Sequence, residues 1–171
     1  DLRKKAVYSF MGMMEQVHAK SYSHIFTTLL PSSETNYLLD KWVLEEPHLK
    51  YKSDKIVNNY HKLWGKDASV YDQYMARVSS VFLETFLFYS GFYYPLYLAG
   101  QGRMTTSGEI IRKILLDESI HGVFTGMDAQ SMRNELSESE KQQADQDMYK
   151  LLDDLYKNEV AYTHSLYDEV G

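Results

Sequence analysis

The sequence predicts an all-α fold, and three observations carry that expectation. Apolar residues recur at spacings of three and four. No stretch alternates apolar with polar residues between hairpin turns. Breakers are scarce, with 3 Pro and 9 Gly in 171 residues, so the elements run long. Val7, Phe10, Met11, Met14, Val17, Ile25 and Leu29 mark a first helix that Pro31 ends. A short helix is expected over 33–45, stopped by Pro47, and another over 48–64, with Gly65 as its C-terminal signal. The next spans 68–93, where Gly91 and Pro95 distort or end it. Thr106-Ser107-Gly108-Glu109 reads as a capping box opening a helix to Asn134. Ser137-Glu138-Ser139-Glu140 reads as a second box, opening a last helix to Tyr167. The sum is four long helices and two short ones.

Size and composition narrow the function. A mass of 20.0 kDa fits one domain over residues 1–171, with 44% hydrophobic and 25% charged residues, an ordinary globular balance. Lys and Arg total 18 against 24 Asp and Glu, and a net charge of −6 argues against a nucleic-acid groove. The absence of Cys excludes disulfides, thiolate-bound zinc, iron–sulfur clusters and a thiol nucleophile. No secretory signal opens the chain, and a first residue of Asp1 leads us to expect a longer parent. The run Val81–Ala99 is almost wholly apolar, but it contains Glu84, Gly91 and Pro95 and lacks flanking basic clusters. It reads as the centre of a bundle and not as a membrane span.

The chemistry lies in paired acids and histidines. Glu15 and His18 are three residues apart on the first helix, and Glu118 and His121 are three apart on the fifth. That spacing puts both side chains of a pair on one helical face, within reach of a single ion. Carboxylate with imidazole suits manganese, iron or zinc. Chance gives roughly 0.4 Glu-x-x-His matches in such a chain, so one match alone reads equally well as a solvated polar pair. This chain has three, of which Glu45-Glu46-Pro47-His48 is broken by proline and is set aside. Met11, Met14, Val17 and Ala19 flank the first remaining pair in sequence, and Ile114, Leu115, Ile120 and Gly122 the second. Glu84 stands within Ser80-Val81-Phe82-Leu83-Glu84-Thr85-Phe86-Leu87-Phe88, with no basic residue within a turn. It must take up a proton, find a distant partner such as Arg112, or bind a metal.

Together these features match a four-helix bundle of the ferritin-like type, in which lone carboxylates and two Glu-x-x-His pairs hold two metals. In that order a lone carboxylate precedes each pair. Only Glu84 is present, so the helix carrying the other is expected upstream of residue 1. Tyr22 follows His18 by four residues and Glu15 by seven, and so shares their face. Phe88 and Phe92 lie four and eight residues after Glu84, and Ile114 lies four before Glu118. All three are expected at the same interior level, lining a dry pocket.

The segments Glu15-Gln16-Val17-His18-Ala19-Lys20-Ser21-Tyr22-Ser23, Val81–Phe92 and Asp117-Glu118-Ser119-Ile120-His121-Gly122 resemble the ligand helices of the small (β) subunit of class Ib ribonucleotide reductase. Asn158-Glu159-Val160-Ala161-Tyr162-Thr163 resembles its later helix. The resemblance implies a dinuclear manganese or iron cofactor that oxidises a nearby tyrosine to a stable radical. It implies that Glu15 and His18 bind one metal, that Glu84, Glu118 and His121 bind the other, and that Glu118 can bridge. By the same resemblance Tyr22 carries the radical, Phe88, Phe92 and Ile114 form its apolar shell, and Asp117 orients His18 on the radical path. The implied enzyme is ribonucleoside-diphosphate reductase, a cytoplasmic oxidoreductase. Its partners are a large catalytic subunit, a flavodoxin-like activating protein and a second copy in a homodimer, with neither nucleic acid nor membrane. A ferritin-like dimetal oxidase or iron-handling protein, and a metal-free helical interaction domain, are the alternatives left by the residues themselves.

Overall fold

The computed structural model describes residues 1–65 and 67–168. Among them there is no strand. The chain runs through α1 (Leu2–Leu29), α2 (Ser32–Tyr37), a π-wound turn Leu38–Trp42, α3 (Val43–Glu45), α4 (Pro47–His61) and a 3-10 turn Lys62–Trp64. It continues through α5 (Val70–Phe82), a π-wound segment Leu83–Leu87, α6 (Tyr89–Gly100), α7 (Thr105–Arg133) and α8 (Glu138–Tyr167). No helix among the described residues is long and apolar enough to cross a membrane.

Local signals explain most ends. The Asp1 side chain accepts from the Arg3 N–H at 2.8 Å and opens α1. Pro47 occupies the first turn of α4, where its missing N–H costs nothing. Ser137 and Glu140 form the expected reciprocal cap of α8. Ser69 and Asp72 form another that opens α5, two residues after the expected start.

Two expectations are corrected. Thr106–Glu109 makes no capping box, because α7 starts at Thr105, after Met104 in the left-handed region (φ 51°) and without a side-chain cap. Its register is fixed by packing: a Cβ on Gly108 would lie 2.3 Å from Ala99 Cβ, so glycine lets α6 and α7 approach there. Nor do Gly91 and Pro95 end the helix, which continues to Gly100 with Pro95 inside. The distortion falls earlier, over Leu83–Leu87, where Phe88 N–H donates back five residues to Leu83 O at 3.3 Å.

Helix α7 lies along α5 and α6 and also meets α1, while α4 and α8 pack on each other and on α5. Tyr74, Met75, Val78, Ala129, Leu136 and Ala144 close the α5/α7/α8 core, and Ile56, Leu87 and Leu155 close the α4/α8 side. Phe92, Ile111 and Ile114 form a third apolar cluster, against which Tyr22 and Ile25 of α1 pack.

A polar clamp fastens α1. Buried Asp128 of α7 accepts from Tyr8 OH (2.8 Å) and Arg77 Nε (2.5 Å) and pairs with Lys4 Nζ (2.5 Å), joining α1, α5 and α7. Burial works to raise the Asp128 pKa, but the donors from Lys4, Arg77 and Tyr8 overcome it and hold the carboxyl at about 2, against 3.8 for a free Asp. A depressed acid contributes stability that is complete above its unfolded pKa and is lost as pH falls through the folded one. Asp128→Ala is therefore expected to cost on the order of 2 kcal/mol at neutral pH. It should also remove part of the acid-induced loss of stability between about pH 4 and pH 2, as measured by urea unfolding across that range. An unchanged acid limb would show that the clamp contributes nothing.

Candidate metal centre

Three elements bring the acids and histidines together. Helix α1 supplies Glu15 and His18, the π-wound segment supplies Glu84, and α7 supplies Asp117, Glu118 and His121. One donor atom from each of Glu15, Glu84, Glu118 and His121 lies within 4.8 Å of the others. His18 joins them through Nδ1, at 3.0 Å from Glu118 Oε1 and 3.5 Å from Glu15 Oε2. His121 Nδ1 is 3.2 Å from Glu118 Oε2, 2.9 Å from Glu15 Oε1 and 4.0 Å from Glu84 Oε2. Glu118 thus places one oxygen at each histidine, and so does Glu15.

The site is dry on one side and half open on the other. His18, Glu118 and His121 are 5%, 2% and 3% exposed, whereas the Glu15 side chain keeps 40% of its surface. Val17 and Ile120, next in sequence to ligand candidates, point outward at 45% and 67% exposure. The seclusion therefore comes from the packing of α7 and not from sequence neighbours. Gly122 makes that packing possible: a Cβ there would sit 2.3 Å from Thr85 Cγ2 and 3.7 Å from Glu84 Cβ. Glycine beside His121 lets α7 close onto the segment that carries Glu84.

Several buried atoms at this spot are poorly satisfied. Among the described residues, Glu15 Oε1, His18 Nδ1 and Glu84 Oε2 are buried without a well-aligned hydrogen bond, although Glu15 Oε1 lies 2.9 Å from His121 Nδ1 and His18 Nδ1 3.0 Å from Glu118 Oε1. Each faces the same small volume. His18 Nε2 meets Asp117 Oδ2 at 3.1 Å, an arrangement that orients the ring so that Nδ1 faces the acids. Burial pushes the Glu118 carboxyl far above the normal range, and the adjoining Glu84, Glu15 and Asp117 carboxylates push it further. Burial raises Glu84 as well, although its hydrogen bond with Glu118 and the two histidines work the other way. Burial and like charge thus favour proton uptake among these acids, and a cation in the same volume would relieve that repulsion. Arg112 is exposed and takes no part. The third Glu-x-x-His match is used elsewhere, with Glu45 accepting from Tyr37 and His48 facing Asn158.

Tyr22 lies beside the cluster. A cavity of about 230 Å³ is lined by Glu15, His18, Ala19, Tyr22, Phe88, Phe92, Ile114 and Glu118. Phe92 and Ile114 are each 3% exposed, and the Phe88 and Phe92 rings are 6.0 Å apart. Burial, with the Glu118 charge behind it, drives the Tyr22 phenol well above its usual pKa. The cavity joins the phenol to the acids through an apolar wall. The π winding around Glu84 and the Gly122 contact have no single sequence signal, although a glycine directly after His121 points to a close approach.

The family model for the ribonucleotide reductase small chain matches residues 2–171. The chain belongs to that family. It is 49% identical over 170 residues to the ribonucleoside-diphosphate reductase subunit beta of Bacillus subtilis, covering 99% of this chain and 51% of that one. Against subunit beta of reductase 2 of Escherichia coli the identity is 36% over 166 residues, covering 97% and 49%. The crystal structure of dimanganese(II)-NrdF from Streptococcus sanguinis superposes with a TM-score of 0.85 at 43% identity, covering 97% of this chain and 56% of that one. The chain thus spans about half the length of the curated relatives it matches. Membership fixes the ferritin-like helical fold and sets aside the metal-free interaction domain.

A small-chain site built to be neutralised by a cation should be a liability without one. A carboxyl whose pKa is raised by folding contributes most below its unfolded pKa and loses that contribution as pH rises. Glu118→Gln, which keeps the shape and cannot ionise, removes the cost of holding that carboxyl protonated in the folded chain and is expected to stabilise the metal-free chain at pH 8 by about 1–3 kcal/mol. The same change should weaken divalent-metal binding. Thermal unfolding with and without chelator checks both, and a destabilised metal-free variant would contradict this electrostatic account.

Proposed function

We propose that this chain is the radical-generating part of a ribonucleotide reductase small subunit, with a dinuclear manganese or iron site. The poorly satisfied Glu15, His18 and Glu84 atoms, all facing one volume beside a Glu118 that reaches both histidines, carry this reading. Hard carboxylates with imidazole nitrogens suit manganese or iron. Glu15 and His18 would hold one ion and Glu84, Glu118 and His121 the other, with Glu118 between them. When bound, the metal pair supplies the one-electron oxidant.

The chain's own residues do the rest. Asp117 holds His18 by Nε2 and so aims Nδ1 at its ion, leaving a hydrogen-bonded line from the site towards the surface. Burial keeps the proton on the Tyr22 oxygen before oxidation. Oxidation of the ring would pass its electron to the oxidant that the metals supply and its proton to a base in the shared cavity, which the Glu15 carboxylate also lines. Phe88, Phe92 and Ile114 exclude water and reductants from the oxidised ring. The oxidising equivalent serves a separate large subunit, where ribonucleoside diphosphates become deoxyribonucleoside diphosphates. In the manganese form a flavodoxin-like protein would deliver the activating oxidant. Phe10 and Met13 of α1 and Ile120, Val123 and Met127 of α7 are exposed, apolar surface that suits pairing with a second copy in a homodimer. A cytoplasmic location follows from this function. An iron-storage reading gives no role to a tyrosine walled in by two phenylalanines.

Tyr22→Phe separates binding from radical formation. The variant should bind manganese or iron as tightly as the parent. After oxidative activation it should lack the tyrosyl signal in electron paramagnetic resonance and should not support nucleotide reduction with the large subunit. An undiminished tyrosyl signal would assign the radical to another tyrosine.

A further inference from the structure

A second buried polar cluster lies outside the metal centre and touches the π-wound segment from behind. Past Leu83–Leu87 the helix resumes with Gly91 N–H donating to Phe88 O at 3.0 Å and Phe92 N–H to the same oxygen at 3.2 Å. In an unbroken α-helix Gly91 would donate to Leu87 O. Leu87 O instead accepts from Lys52 Nζ of α4 at 3.1 Å and from the Ser90 hydroxyl at 3.4 Å. Lys52 is 8% exposed and Glu159 of α8 is 6% exposed. Both Glu159 oxygens take the Lys52 ammonium, at 3.1 and 3.0 Å, and the ammonium lies 4.4 Å from the centre of the Tyr162 ring.

A buried ion pair is a poor device for stability alone, since a well-packed apolar pair usually serves as well or better. An apolar pair cannot, however, donate to a backbone carbonyl left over at a register break, and a buried carbonyl without a donor is costly. Each residue of register shift turns a helical side chain by about 100°. Tyr74, Met75 and Val78 are locked in one core upstream, and Phe92 in another downstream. The position of the extra residue between them therefore sets where Glu84 points.

We propose that Lys52, neutralised by Glu159, is a positioning residue that fixes the π register of Leu83–Leu87 and so aims Glu84 into the centre. The consequence for metal rests on the function proposed above, whereas the register itself can be read without metal. Two double variants test it. Lys52→Met with Glu159→Leu removes both charges and the donor. Lys52→Gln with Glu159→Gln removes the charges and keeps an N–H within the cluster. Crystal structures of the metal-free proteins give the register, and calorimetric titration with Mn²⁺ gives the affinity.

In the Met/Leu variant Gly91 N–H should move to Leu87 O, Phe88 should leave Leu83 O, and Mn²⁺ affinity should fall by about tenfold or more, as for other groups that orient ligands. The Gln/Gln variant should keep the π register and more of the affinity. An unchanged register in both, or failure of both to fold, overturns the proposal. A parent protein that takes no Mn²⁺ would instead overturn the metal reading, and the two registers would still decide the role of Lys52.

Discussion

Charge burial without an internal counter-ion governs this molecule. Glu15, Glu84 and Glu118 place carboxylates within 4.8 Å of one another and of His121, in surroundings where Glu118 and His121 are almost wholly covered. Taking even one unpaired carboxylate out of water costs several kcal/mol or forces it to keep a proton. Burial and like charge push the Glu118 pKa far up, and three buried polar atoms here lack a well-aligned hydrogen bond. Natural interiors rarely tolerate this unless an ion belongs there.

The surrounding structure serves that cluster by controlling approach and direction. Gly122 lets α7 approach the Glu84 segment where a Cβ would press on Thr85, and Gly108 does the same between α6 and α7 at Ala99. The π winding turns Glu84 inward, and Lys52 with Glu159 occupies the carbonyl that the winding leaves over. On the open side, Asp128 gathers Lys4, Tyr8 and Arg77 and so holds α1, with Glu15 and His18, against α7. Asp117 then fixes the His18 ring that α1 brings to the cluster.

Much of this was legible in the sequence, for identifiable reasons. Long helices follow from periodicity and scarce breakers, and the Ser137 cap follows from a local motif that needs no tertiary help. Glu15, His18, Glu84, Glu118 and His121 stood out because acids and histidines repeat at helical spacing in apolar company, and the structure draws them into one volume. What could not be read depends on packing between distant segments. The Thr106 box failed because the close contact of Gly108 with Ala99 and the left-handed Met104 set the start of α7. The helix distortion expected at Gly91 and Pro95 falls instead at Leu83–Leu87, where Lys52 of α4 donates to the Leu87 carbonyl and Glu159 of α8 holds the ammonium. Glu15 reaching His121, and the partnership of Lys52 with Glu159, join residues about a hundred positions apart, beyond any local pattern.

The account stands on the cluster being a place for metal cations. Anomalous diffraction at the manganese edge, on crystals of this chain grown with Mn²⁺, tests it most directly. A manganese peak beside Glu84, Glu118 and His121 is the expected result, with a weaker one or none on the Glu15 and His18 side, where the lone carboxylate expected upstream of residue 1 is missing. Anomalous density confined to surface carboxylates, with Glu118 still facing Glu84 across an empty centre, would contradict it.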